Sequence, residues 1–343
     1  GAFAAILGFL AATHGSVAYG AIRWGGDVLR QQPEWYGSAE ARAVADSVIQ
    51  YQSPQGGWPK STDLATPPRS PEDIPPPGRG RANSIDNDAT TLPMEFLAKV
   101  IRAVNETRHK ESFARGVDYL LEAQYPNGGW PQFYPLRKGY YSRITFNDGA
   151  MINVMNLLSD ISAGRPPYDF VDNTRRARAA AAIANGIKCI LNTQVRVSGK
   201  LTVWCAQHDE VTLAPTNARS YELASLSGAE SAGVLKFLMG LDDPAPEVIQ
   251  AVKSGVAWFE SARIDGFRYK RSGSERNLVE DPSARPLWAR FYEMGSNRPF
   301  FCDRDGVPKY DVEEIGGERR SGYTWYGNWG DSLAREYAKW PHR

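Results

Sequence analysis

Cysteine is scarce in this chain. Only Cys189, Cys205 and Cys302 occur in 343 residues, with no CxxC pair. An odd number cannot complete a disulfide framework, and the spacing fits no zinc ribbon, so thiols leave the redox compartment open. Histidine is nearly as rare, with four residues. No HExxH is present, and Ser225-Leu226-Ser227-Gly228 lacks the flanking glycine of a nucleophile elbow, which removes zincin and α/β-hydrolase chemistry. Charge of one sign is missing too. With 40 Lys and Arg against 39 Asp and Glu the net charge is +1, so no electrostatic footprint for nucleic acid or an anionic membrane exists. The apolar run from Ala2 to Ala12 falls well short of the roughly 20 residues that span a bilayer. Ser16-Val17-Ala18 behind it has the form of a leader cleavage site, yet no Lys or Arg precedes the run. A folded apolar helix is the expectation for this segment, with a signal remnant as the alternative. No role follows for residues 1–33.

What is abundant is aromatic: 10 Trp, 16 Tyr and 13 Phe, beside 32 Gly and 23 Pro. Such rings fill cores more often than they stack on ligands, but long loops carrying them also suit sugar binding. The chain repeats itself. Gln52-Ser53-Pro54-Gln55-Gly56-Gly57-Trp58-Pro59 recurs as Gln124-Tyr125-Pro126-Asn127-Gly128-Gly129-Trp130-Pro131, and more faintly as Gln194 followed by Trp204, a period of about 72 to 74 residues. Asp265-Gly266-Phe267 is expected to be a shortened fourth copy. An amphipathic run precedes each turn: Val44, Val48, Ile49; Phe113, Val117, Leu120, Leu121; Ile183, Ile187, Ile190, Leu191; Val248, Ile249, Val252, Val256, Phe259. A second helix follows each of the first three turns, at roughly 88–105, 148–161 and 227–241. The expected fold is all-α, an α/α toroid of about three helix pairs with long irregular loops. A linear solenoid is the alternative. The proline-rich stretch 67–84 should be irregular, and 264–328 mostly loop. No composition break divides the chain, so a single domain over 1–343 is expected.

Each second helix begins with a polar cluster: Asp86-Asn87-Asp88, Asn147-Asp148-Gly149 and Ser225 to Glu230. Capping explains any one of them. Three on one rim of a repeat fold, two of them rich in carboxylate, point to a hard divalent cation such as Ca2+. A cationic set lies downstream: Arg219 among Ser220, Tyr221 and Glu222, then Arg304, Lys309, Tyr310, Arg319 and Arg320 beside Tyr323 to Tyr326. Arginine among aromatic residues suits a pocket for acidic sugars, because its planar fork bonds both carboxylate oxygens. His208 reads as a structural histidine rather than a general base. Two other functions fit the same residues. A toroidal glycoside hydrolase would pair two of Asp88, Asp148, Glu222 and Glu230; a non-catalytic acidic-polysaccharide-binding protein would use only the arginines and aromatics.

Taken together, Gly-Gly-Trp-Pro-Lys (56–60), Ile-Asp-Asn-Asp-Ala-Thr-Thr (85–91), Asn-Gly-Gly-Trp-Pro-Gln (127–132), Phe-Asn-Asp-Gly-Ala-Met (146–151), Trp-Cys-Ala-Gln-His-Asp (204–209) and Glu-Arg-Arg-Ser-Gly-Tyr-Thr-Trp (318–325) resemble the motifs of the family 10 pectate lyases from about Trp35 to Trp329. The resemblance implies an α/α toroid and a lyase that cleaves polygalacturonate or oligogalacturonate by Ca2+-assisted β-elimination. Motif for motif, it implies Arg219 as the base. Asp86 or Asp88 with Asp148 would be calcium ligands, and Arg304 and Arg320 (or its neighbour Arg319) substrate grips, with Lys309 and Tyr310 beside them. A secreted or periplasmic monomer with no nucleic-acid or membrane partner completes the expectation.

Overall fold

The computed structural model of the chain describes residues 22–273 and 275–343, so the expected N-terminal helix and cleavage site lie outside the described residues. Nine α-helices occur among them: α1 (Ala39–Gln50), α2 (Thr91–Val104), α3 (Thr107–Glu122), α4 (Ala150–Ala163), α5 (Asn173–Thr193), α6 (Glu230–Met239), α7 (Pro246–Ser261), α8 (Gly317–Gly322) and α9 (Trp329–Tyr337). Local chemistry sets their ends. Ser38 caps α1 by accepting the Ala41 amide and Asp172 caps α5 by accepting that of Arg175, while Pro246 opens α7. Left-handed Asn105 and Gly164 close α2 and α4.

The helices form two layers. In one, α1, α3, α5 and α7 pack in succession; in the other, α2 packs on α4, α4 on α6, and α6 on α9. Pairing across the layers joins α1 and α3 to α2, α5 to α4, and α7 to both α6 and α9. The three expected second helices are therefore present, and α9 stands as the partner of α7 in a fourth pair. Among the described residues no helix is long and apolar enough to cross a membrane.

A tryptophan defines each repeat. The indole N–H of Trp58 donates to Val48 O at 2.9 Å, Trp130 to Leu120 O at 2.7 Å, Trp204 to Ile190 O at 2.8 Å and Trp288 to Phe259 O at 2.8 Å. Each ring thus donates to a carbonyl in the last turn of the helix that precedes it, where the helical ladder runs out of donors. The fourth copy is consequently at Trp288 and not at Asp265-Gly266-Phe267. It hides in the sequence because an antiparallel hairpin, Phe267–Ser272 with Glu275–Glu280, interrupts the turn. Together with α8 this hairpin corrects the expectation of mostly loop over 264–328. Five further strand pairs, two residues to a strand, tie loops together, so the fold is helical with small β elements rather than purely α. The 67–84 stretch is irregular apart from a short 3-10 turn at Pro71–Asp73.

Two interactions link one repeat to the next. Gln52 donates to Ser112 O in α3, Gln124 to Ala182 O in α5 and Gln194 to Ala251 O in α7, at 2.8 to 3.0 Å. The Gly-Gly turns also press on the next helix. A Cβ at Gly56 would lie 2.3 Å from Arg115 O, and one at Gly128 2.0 Å from Asn185 O, both at positive φ. Only glycine permits that approach.

Candidate active site

The site grows from the turns that lead into α2 and α4. Ser84 N–H donates to Trp58 O and Thr145 N–H to Trp130 O, and the next residue hangs on the following repeat: Ile85 N–H on Gln132 O, Phe146 N–H on Ala206 O. A one-turn 3-10 segment follows in each, Asp86–Asp88 and Asn147–Gly149, and the two lie against each other. Asn87, Asp88 and Asp148 all have φ between 50° and 57°, a left-handed conformation that Asn and Asp tolerate better than other non-glycine residues. These turns delay the helix starts by two to three residues relative to the sequence expectation.

The third cluster is built differently. Ser227 N–H donates to Trp204 O and Gly228 N–H hangs on Arg290 O, as in the other repeats. Five residues separate Ser84 from Thr90, whose hydroxyl accepts the Trp58 amide; three separate Ser227 from Ser231, which accepts that of Trp204. Two residues are missing and the 3-10 turn with them, so Glu230 within α6 supplies the carboxylate.

Charge on this rim is unevenly answered. Arg290, 8% exposed, places Nη2 at 2.6 Å from Glu230, 2.9 Å from Asp148 and 3.3 Å from Asn147 Oδ1. Burial opposes its charge, but Glu230, Tyr323 and Asp148 outweigh that and raise its pKa. Asp86 is buried against Lys60 Nζ at 2.5 Å. Asp88 is exposed, and among the described residues its side chain has only the Asn153 amide as partner. Partial burial and then the Asp148 and Asp86 carboxylates raise its pKa, against the Asn153 hydrogen bond. Of the two aspartates left open by the sequence, Asp88 therefore keeps the accessible carboxylate, because Lys60 takes the other.

A guanidinium cluster surrounds Tyr221, with Arg319 at 4.7 Å from the ring centroid, Arg219 at 4.9 Å and Arg304 at 5.7 Å. Arg219 bonds Glu222 through Nε at 2.9 Å and Nη2 at 2.7 Å. That pairing raises the Arg219 pKa further; burial works to raise Glu222, but Arg219 and Tyr323 hold it low. Tyr323 OH donates to Glu222 at 2.8 Å, and its ring lies 4.7 Å from the Arg290 guanidinium. A continuous path thus runs from Arg219 through Glu222, Tyr323 and Arg290 to Asp148.

The remaining expectations divide. Arg320 is not in the cluster: it is tucked under the hairpin, bonded to Glu275 at 2.8 Å, and Arg319 occupies the place beside Tyr221. Neighbouring residues on a helix point about 100° apart, so one position decides the side. Tyr310 donates to Glu293 at 2.9 Å with Arg298 stacked on its ring, and Lys309 pairs along the backbone with Phe301. His208 is buried, its Nδ1 bonded to Leu213 O and its Nε2 accepting the Cys205 amide; burial pulls its pKa down to about 4, as suits a structural residue. The three cysteines are free and buried. Of the four carboxylates a hydrolase would draw on, three are held by cations, since Asp148 and Glu230 share Arg290 and Glu222 is bound by Arg219. Sequence reasoning missed Arg290 altogether, gave Lys60 no role and did not single out the Tyr221 ring as the centre of the cluster. The signal was in the repeats: Lys60 and Arg290 each stand two residues after a repeat tryptophan.

For a hard cation, Asp88 and Asp148 offer carboxylate oxygens on facing turns, and the mutual repulsion at Asp88 fits one. Among the described residues, the group of three possible ligands whose atoms all lie within 4.8 Å of one another is Asp46, Glu106 and His109, where α1 meets α3. Arg108 already pairs with both carboxylates there, at 3.0 and 2.7 Å.

The pattern of the pectic acid lyase family matches residues 52–334. The chain belongs to that family. It is a pectate lyase, and its structure agrees with that of a family 10 polysaccharide lyase from Cellvibrio cellulosa. That match has 37% identity and a TM-score of 0.80, covering 90% of this chain and 96% of that one. An aspartate-to-alanine mutant of the same Cellvibrio enzyme, in complex with trigalacturonic acid, matches with a TM-score of 0.79 at the same identity and coverage. No curated protein sequence matches the chain.

Proposed function

We propose that this lyase cleaves α-1,4-polygalacturonate by calcium-assisted β-elimination on the rim between Asp88 and Arg219. The observation that carries this is the path from the Tyr221 guanidinium cluster to the Asp148 carboxylate. In the reaction a base removes the C5 proton, the C4–O4 bond breaks, a C4=C5 double bond forms, and the leaving oxygen acquires a proton. Asp88 and Asp148 would hold the calcium, which when bound neutralises the substrate carboxylate and so acidifies the C5 proton. Arg304, 63% exposed and paired with an equally exposed Glu318, exchanges that weak partner for a uronate at little cost. Arg319 lies on the same Tyr221 ring and is itself held by Glu318.

Arg219 is the proposed proton acceptor, and its geometry sets a condition. Glu222 stabilises the protonated guanidinium, so Arg219 must give up that partner and release a proton to solvent before it can accept the C5 proton. Arg304 and Arg319, crowded onto the same ring, provide the positive field that favours a neutral neighbour. Tyr323, already donating to Glu222, holds the carboxylate when Arg219 leaves. We further infer that the two helix layers curl into a toroid forming a single catalytic domain, and that the enzyme works as a secreted or periplasmic monomer. A polymer substrate does not cross membranes unaided, which supports the location.

The test is ultraviolet absorbance of the unsaturated product from polygalacturonate, with calcium and with excess EDTA. Absorbance should rise with calcium and stop with EDTA. Undiminished turnover in EDTA would remove the metal, and new reducing ends without absorbance would mean hydrolysis.

A further inference from the structure

A cleft opens on the other side of Asp88. It encloses about 420 Å³, within the range of ligand clefts, and Arg23, Trp24, Ser61, Thr62, Asn87 and Asp88 line it. The turn carrying Asp148, where the contact path from Arg219 ends, lies against the turn carrying Asp88, so the cleft begins next to the proposed site. Three features are unusual for a surface hollow. Trp24 is half-buried, its ring packed edge-on against Phe96 at 5.9 Å, a fixed orientation on the buried layer. Arg23 is exposed and makes no ion pair among the described residues. Ser61, Thr62 and Asn87 add two hydroxyls and an amide to a wall completed by Pro59, Ala89 and Leu92. Asp63, also in the wall, is occupied: it accepts the Ala65 amide and the Thr66 hydroxyl. Residues 23 and 24 lie outside the segment that the family pattern matches, 52–334.

A fixed aromatic ring beside a guanidinium with no ion pair among the described residues, a Ser61 hydroxyl and the accepting oxygen of Thr62 is the chemistry that holds a uronate. The C–H face of the sugar lies on the ring, the carboxylate takes the fork, and the hydroxyls pair with Ser61, Thr62 and Asn87. We propose that Arg23 and Trp24 form a distal subsite for a galacturonosyl residue of the substrate chain, one that raises affinity for long chains without taking part in bond cleavage. This rests on the lyase reading above. It gives the N-terminal residues that dock on α2 a role in selecting chain length.

The test compares trigalacturonate with octagalacturonate, following unsaturated product for the wild type, Arg23→Ala, Trp24→Ala and Trp24→Phe. The ratio of octamer KM to trimer KM should rise about fivefold in Arg23→Ala and in Trp24→Ala, with little change in Trp24→Phe and the effect confined to KM. Arg23 is exposed, so its variant reports even if Trp24→Ala folds poorly. An unchanged ratio in Arg23→Ala overturns the subsite. So does a ratio that responds to Arg23→Ala but not to a folded Trp24→Ala, which would mean charge attraction alone. A wild type that makes no unsaturated product from either substrate would instead refute the lyase reading.

Discussion

At the Asp148 end of the acidic rim a buried guanidinium answers the carboxylates; at the Asp88 end none does. The scaffolds are closely alike, since both turns are hung on the next repeat and both pass through left-handed residues. The difference comes from which cation stands two residues after a repeat tryptophan. Lys60 turns to Asp86 and neutralises it, while Arg290 spans Asp148 and Glu230 at once. Asp88 is left to repel its neighbours, and the effect reaches Glu95 on α2. Burial, then the Asp88 and Asp160 carboxylates, push its pKa up to about 7, with Lys99 working the other way. The comparison shows how one repeat frame yields a rigid, charge-balanced end and an end with unmet negative charge, where a cation fits.

The largest expected effect lies at the arginine cluster beyond the balanced end. Arg219→Lys keeps the charge but loses the planar fork, so kcat should fall by at least about 100-fold, about 2.7 kcal/mol, with KM little changed. Steady-state kinetics on polygalacturonate decide it. A variant that keeps more than about a tenth of wild-type kcat is incompatible with Arg219 as the proton acceptor, and a rise in KM alone would make it a substrate grip.

Arg290→Gln breaks the balance directly. Glu230, whose side chain is 2% exposed, would keep a buried charge with its cation gone, and stability should drop by about 3 kcal/mol in a denaturant titration. Adding Glu230→Gln should recover part of that loss. No recovery would mean that Arg290 acts through packing on Tyr323 instead.

The smallest effect tests the unbalanced end. A carboxyl whose pKa is higher folded than unfolded binds its proton more tightly in the folded state, so stability is greatest below about pH 4.5 and declines as pH rises towards 7. With EDTA present, Glu95→Gln should stabilise the protein by about 1 kcal/mol at pH 8, the figure allowing for partial exposure, and have almost no effect near pH 4. A pH-independent difference between variant and wild type would show that Glu95 is not strained by its neighbours.

Periodicity and glycine placement in the sequence were enough to determine the helix layers. A Gly-Gly-Trp turn after an apolar stripe has one low-energy use here, since glycine alone lets the turn meet the next helix and the indole needs a carbonyl. The motifs likewise determined the family and the two acidic turns. Trp288 stayed hidden because the inserted hairpin stretches the local spacing on which repeat detection depends. The site was legible in its residue types but not in its pairings. Whether Asp86 or Asp88 keeps a free carboxylate depends on where Lys60 reaches, and whether Arg319 or Arg320 faces Tyr221 depends on the rotation of α8. Arg290 lies 60 residues from Glu230 and 142 from Asp148 in the chain. Only tertiary structure brings those charges together, because a salt bridge between distant repeats leaves no local pattern in the sequence.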